Sequence, residues 1–127
     1  MLRLLSAAWR ARRVLLIGGS NDAAEPLEAW LTLLGARCAC LPPDADAQTL
    51  YRALTDGRVF AVIVCGAPAS DVLLEEVRET GVPLTILCRG DDAQEAALSA
   101  LHVGARFLSE GLPCGVYDAN EFFPQKL

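Results

Sequence analysis

The chain has 127 residues, of which 53% are apolar, and this is enough for one domain with a buried core. Its formal net charge of −5 argues against a general affinity for nucleic acid, because phosphates would be repelled by an acidic surface. No apolar run approaches the roughly 20 residues that span a bilayer. We therefore expect no membrane span and a cytoplasmic location.

The cysteine pattern is typical of reduced, buried thiols. The five cysteines are odd in number, and Cys65 and Cys88 end apolar runs, as in proteins of a reducing compartment. A zinc site would need paired C-x-x-C or Cys/His clusters, whereas Cys38 and Cys40 form a C-x-C with a distant His102. We predict no metal and no cofactor.

The chain begins with a short amphipathic segment, residues 1–12. Leu2, Leu5, Ala8 and Trp9 recur at helical spacing, which predicts a helix. Arginines interrupt the segment, so it lacks the continuous apolar stretch of a signal peptide. Such a helix could be a linker, a membrane-surface anchor or a packed part of the fold, and its short length favours a linker or packing.

From residue 13 to residue 110, apolar runs alternate with amphipathic stretches, which predicts a parallel sheet with helices on both faces. Four helices should join five strands, at Arg13–Ile17, Arg37–Leu41, 59–65, 83–88 and 106–109. Gly104 should end the fourth helix before the last strand. Residues 111–127 carry glycines and prolines that break helices, so we expect an irregular tail with no closing helix.

Four segments follow one another along the chain: RVLLI with a later LLG, FAVIVC followed by Pro68, VPLTILCRGDD, and ALSALHVGARFLSE. In this order they resemble the receiver domain of response regulators and hybrid histidine kinases, which are bacterial two-component proteins. The resemblance implies an α/β, flavodoxin-like, doubly wound sheet of five parallel strands in the order 2-1-3-4-5.

The resemblance also implies where phosphoryl chemistry would lie. A receiver needs an acidic pair for Mg²⁺, an aspartate nucleophile, a hydroxyl and a lysine. Carried over by position, these fall on Gly18 and Gly19, Cys65, Cys88 and Glu110. Since every group is replaced, we expect no catalytic residue and no enzyme activity.

The sequence therefore favours a pseudo-receiver, which cannot be phosphorylated and acts in phosphorelay signal transduction by protein–protein interaction. The resemblance implies that it belongs to a hybrid histidine kinase, with a histidine kinase or a neighbouring receiver domain as partner. Fold alone does not carry function, so this remains a hypothesis about the site.

Two ligand hypotheses stay open beside it. Arg89, Asp92 and Arg106 could bind a cyclic dinucleotide such as cyclic di-GMP, because arginine pairs with phosphate and stacks on guanine. Gly18 and Gly19, between a strand and a helix, could instead cradle a phosphate on backbone N–H groups.

Overall fold

The computed structural model describes residues 2–18, 24–56, 58–66, 71–88 and 92–119. Helices and strands alternate after a leading helix. In chain order they are α1 Leu2–Trp9, β1 Arg13–Ile17, α2 Ala24–Leu33, β2 Arg37–Leu41, α3 Ala47–Thr55, β3 Ala61–Cys65, α4 Asp71–Thr80, β4 Leu84–Cys88, α5 Ala93–Glu110 and β5 Gly115–Asp118.

The five strands form one parallel sheet in the order β2-β1-β3-β4-β5. Every residue of β3 is buried, and in β1 only Arg13 is exposed, as expected for central strands covered on both faces. The predicted fold class, a doubly wound flavodoxin-like sheet in this order, is confirmed.

Successive residues of each strand point to opposite faces, so the sheet separates two cores. On the face that we call the first, Val14 and Leu16 pack with α1, α2 and α5. On the second face, Leu15 and Ile17 pack with α3 and α4. Asp46 caps α3 by accepting a hydrogen bond from the N–H of Thr49 at 2.7 Å.

The predicted fifth strand at residues 106–109 is wrong. These residues form the last turns of α5, which runs without a break for 18 residues. The helix ends at Gly111, whose φ of 67° is left-handed and whose N–H donates to the carbonyl of Phe107. Gly104, predicted to end the helix, lies inside it.

The fifth strand is instead Gly115–Asp118, within the segment predicted to be an irregular tail. The predicted domain limit at residue 110 therefore excludes one strand of the sheet, and residues 120–127 lie outside the described residues. The strand was missed because it has four residues, carries Gly and Asp, and lies at an edge, so it lacks an apolar run.

The connection from β4 to β5 has the opposite hand to the other three. The connections from β2 to β3 and from β3 to β4 both run across the sheet in the direction of β5, and their helices, α3 and α4, lie on the second face. From β4 to β5 the chain runs the same way, but α5 lies on the first face. Such crossovers almost always share one hand. As a result Val116, on the second face of the edge strand, is 50% exposed.

The leading helix α1 is a packed part of the fold, which resolves the two alternatives left by the sequence. Leu5, Ala8 and Trp9 are buried in the first core. Trp9 is fully buried, and its Nε1–H donates to the carbonyl of Leu101 on α5 at 3.0 Å. In the described part of the chain, no helix is long and apolar enough to cross a membrane.

Candidate functional site

The carboxyl ends of the strands are where open parallel α/β sheets bind ligands, and a receiver's site would lie there. Gly18 follows β1, while Cys65 and Cys88 end β3 and β4. These three positions lie at the same edge of the sheet. Gly19, the second position of the expected acidic pair, lies outside the described residues.

The two thiols are part of the core. Cys65 and Cys88 are partners in the β3–β4 register and are 1% and 0% exposed. The thiol of Cys88 donates to the carbonyl of Ala96 at 3.1 Å, and the N–H of Gly66 donates to the carbonyl of Cys88 at 3.0 Å. The edge therefore presents backbone where a receiver would present a carboxylate and a hydroxyl.

The backbone N–H of Gly18 is hydrogen-bonded within the sheet and does not face a ligand site. Its N–H donates to the carbonyl of Leu41 at 3.1 Å. A phosphate cradle needs free N–H groups, and this one is already used within the sheet. The geometry of Gly18 therefore gives the phosphate-cradle hypothesis no support.

Glu110 does not occupy the lysine position of a receiver. It ends α5, which returns from the carboxyl edge to the opposite, amino edge of the sheet before β5 begins. Its carboxylate accepts from the Nε of Arg106 at 2.7 Å, and this hydrogen bond lowers the pKa of Glu110. The described strand β5 ends at Asp118, which is also not a cation.

Asp92 and Arg106 do not converge as the cyclic-dinucleotide hypothesis required. Asp92 caps the start of α5 by accepting from the N–H groups of Gln94 and Glu95. Arg106 lies fourteen residues later on the same helix, about 21 Å away at the rise of an α-helix. Arg89 is outside the described residues. The two described residues are too far apart to hold one ligand phosphate, so the described geometry gives this hypothesis no support.

The described ranges contain no group of three or more His, Cys, Asp or Glu residues that could hold a metal ion. Two other carboxylates of the sequence, Asp22 and Asp71, are candidates to replace the acidic residues that a receiver needs. Asp71 is the exposed first residue of α4, and Asp22 lies outside the described residues.

The cysteines differ enough in environment to predict their order of labelling. Cys114 is exposed, whereas burial raises the pKa of Cys38 to about 11. Burial and a hydrogen bond to Glu28 raise the pKa of Cys40. Because the thiolate is the nucleophile, alkylation at pH 8 should modify Cys114 first.

Mass spectrometry of the native chain after timed alkylation measures this order. Cys65 and Cys88 should stay unmodified until denaturant is added, because both are buried. Rapid modification of either one in the native state would contradict the core position described above.

Sequence reasoning missed a second cluster, at the amino edge of the sheet. We call it the arginine edge; it consists of Arg10, Arg12, Arg13, Arg37 and Arg58. The signal was in the sequence, because these arginines come just before or at the start of β1, β2 and β3, and the starts of parallel strands lie together.

Backbone hydrogen bonds hold the loops of the arginine edge together. The N–H of Ala11 donates to Gly35, and the N–H of Arg37 donates to Arg12, both at 2.8 Å. The N–H of Phe60 donates to Arg13 at the same distance. The guanidinium of Arg12 lies 4.8 Å from the ring centroid of Phe60, a cation–π contact that fixes its position.

A cavity of about 250 Å³ opens beside the arginine edge, between β1, β2 and the end of α3. We call it the edge pocket. Its lining includes Arg13, Arg37 and Asp56 together with apolar side chains.

In fold, the chain is similar to the solved A-PCP didomain of carboxylic acid reductase from Segniliparus rugosus in complex with AMP, with a TM-score of 0.55 and 16% sequence identity. The match covers 99% of this chain and 20% of that one, so this chain spans about a fifth of the matched structure. No family model and no curated protein matches the sequence. At 16% identity the similarity shows a shared fold and nothing about activity.

Proposed function

We propose that this chain is a pseudo-receiver, a regulatory docking module of two-component signalling that binds a histidine kinase or a neighbouring receiver domain without being phosphorylated. The supporting observation is a sheet in the receiver order whose β3 and β4 end in buried cysteines, Cys65 and Cys88. The strand order of a receiver is kept, while the residues at the positions for phosphoryl chemistry are replaced.

The physical argument rests on what phosphoryl transfer requires. Positioning and charge stabilisation supply almost all of the catalysis, through Mg²⁺, an oxygen nucleophile and a cation. Cys65 is a thiol inside the first core, and Gly18 has no side chain to bind a metal. The function left to such a scaffold is binding through its surface.

Beryllofluoride with Mg²⁺, which imitates a phosphorylated aspartate, is expected to leave this protein unchanged. Two-dimensional NMR of the ¹⁵N-labelled chain should show no shift for Gly18, Cys65, Gly66 or Cys88. An intact receiver domain treated in the same way is the control and should shift. Perturbation around Cys65 would contradict the proposal, because it would mean that the edge still gathers a phosphoryl group.

A kinase assay tests the docking role directly. Purified hybrid histidine kinases from the organism that encodes this chain are incubated with labelled ATP, with and without an equimolar amount of the chain. We expect the autophosphorylation rate of at least one kinase to change while no label reaches the chain. Label on the chain, or unchanged rates for all of the kinases, would contradict the proposal.

A further inference from the structure

The arginine edge is a cluster of positive charge on a chain whose net charge is negative. Five of the eleven basic residues lie there, although the whole chain has a net charge of −5. Within the described residues, no carboxylate lies within 4 Å of these five guanidiniums, and the described ion pair, Arg106–Glu110, is elsewhere. These five arginines are exposed and form no ion pair with another described residue.

The edge pocket adds an apolar recess to this charge. Arg13 and Arg37 are register partners at the starts of β1 and β2, and both line the recess. Between them and α3, the aliphatic side chains of the second face that line the recess are Leu15, Ala39, Ala53 and Val59. A volume of about 250 Å³ suits one medium-sized apolar side chain.

The backbone around the recess is held in an uncommon conformation. Ala11 and Arg58 have φ values of 62° and 55°, and both belong to loops of the arginine edge. Left-handed backbone costs about 1 kcal/mol or more for a residue other than glycine and persists where the surroundings enforce it. The arginines are thus presented by loops with a defined shape.

We propose that the arginine edge and the edge pocket bind an acidic segment of a partner protein, with one apolar residue of that segment in the pocket. Carboxylates on either side of that residue pair with Arg13 and Arg37. The inference rests on the proposed function, since it names the surface by which a docking module would hold its partner and the chemistry of that partner.

Asp56 orients the segment. It is the one carboxylate among the described residues that line the pocket, and it lies at the end of α3, where the helix carbonyls also carry partial negative charge. Both features repel a carboxylate. The acidic residues of the partner therefore lie along the strand side, against Arg13 and Arg37, and away from α3.

Two other anionic partners fit less well. A nucleic acid would bring a continuous row of phosphates against a chain whose total charge is −5, and it would leave the apolar recess empty. An anionic bilayer meets the same net repulsion. A peptide with a few carboxylates around one apolar residue matches both the local charge and the recess.

The probe for this proposal is a fluorescein-labelled peptide, Glu-Glu-Leu-Glu-Glu, titrated with the full chain and followed by fluorescence anisotropy at low ionic strength. We expect saturable binding that weakens as salt is raised from 50 to 200 mM, since exposed charges are screened. Replacing the leucine of the peptide by glycine should weaken binding at least tenfold, because the pocket then stays empty.

Variants of the chain locate the site. Arg13→Gln and Arg37→Gln should each weaken binding of the leucine peptide about threefold, the usual scale for an exposed ion pair. Asp56→Asn should strengthen binding by a similar factor. Arg3→Gln is the matched control, because it removes the same charge from an exposed position on α1 outside the pocket and should have no effect.

Each of the following results would overturn the inference: no binding of the leucine peptide, equal binding of the glycine peptide, or an Arg3→Gln effect as large as that of Arg37→Gln. Equal competition by polyphosphate would also overturn it, because charge alone would then explain the binding. These results leave the kinase assay and the beryllofluoride spectrum unchanged, so failure here is distinguishable from failure of the proposed function.

Discussion

Replacing Trp9 by alanine is expected to lower the free energy of unfolding by about 3 to 5 kcal/mol, the range for removing a large aromatic side chain from a core. Trp9 is fully buried and packs edge-to-face against Phe60, with ring centroids 5.8 Å apart. Its loss also removes the hydrogen bond to Leu101. Because Trp9 anchors α1 to α5, the variant should release the leading helix.

Urea denaturation followed by circular dichroism measures the loss. Leu33→Ala is the control, because Leu33 is 74% exposed on α2 and its removal should change the free energy of unfolding by less than about 0.5 kcal/mol. Unfolding of Trp9→Ala at the same urea concentration as the unaltered chain would mean that α1 contributes nothing to the stability of the core.

Gly104→Ala is expected to destabilise the protein, which reverses the usual effect of this substitution in a helix. In an open helical position alanine is better than glycine by roughly 1 kcal/mol. At Gly104, however, a new Cβ would lie 2.0 Å from Cζ2 and 2.7 Å from Cε2 of Trp9. Overpacking of this kind costs about 1 to 3 kcal/mol, or more where the neighbour cannot move.

A double-mutant cycle isolates this contact. Phenylalanine lacks the outer ring atoms that a Cβ at Gly104 would meet, so Gly104→Ala should cost less in a Trp9→Phe background than in the unaltered chain. Gly115→Ala is the matched control, because a Cβ there would meet nothing within 4 Å. Equal costs in the two backgrounds would show that Trp9 does not press against α5 at Gly104.

The sequence alone determined the elements whose signal is local. β1, β3 and β4 are buried strands, and buried strands appear in a sequence as continuous apolar runs. The strand order followed from the resemblance, and the replacement of phosphoryl groups at Gly18, Cys65 and Cys88 could be seen from residue type at the strand ends. None of these inferences needed a contact between distant segments.

Only the tertiary structure decided the course of the chain after β4. Residues 106–109 read as a short strand because Gly104 looked like a helix end, yet the helix continues to Glu110. The glycine is there because Trp9, 95 positions earlier, packs against its bare backbone, and no local pattern records such a contact. The same helix lies on the first face of the sheet with α1 and α2. Because the helix continues to Glu110, β5 is formed by Gly115–Asp118, and because the helix lies on the first face, the last crossover has the opposite hand.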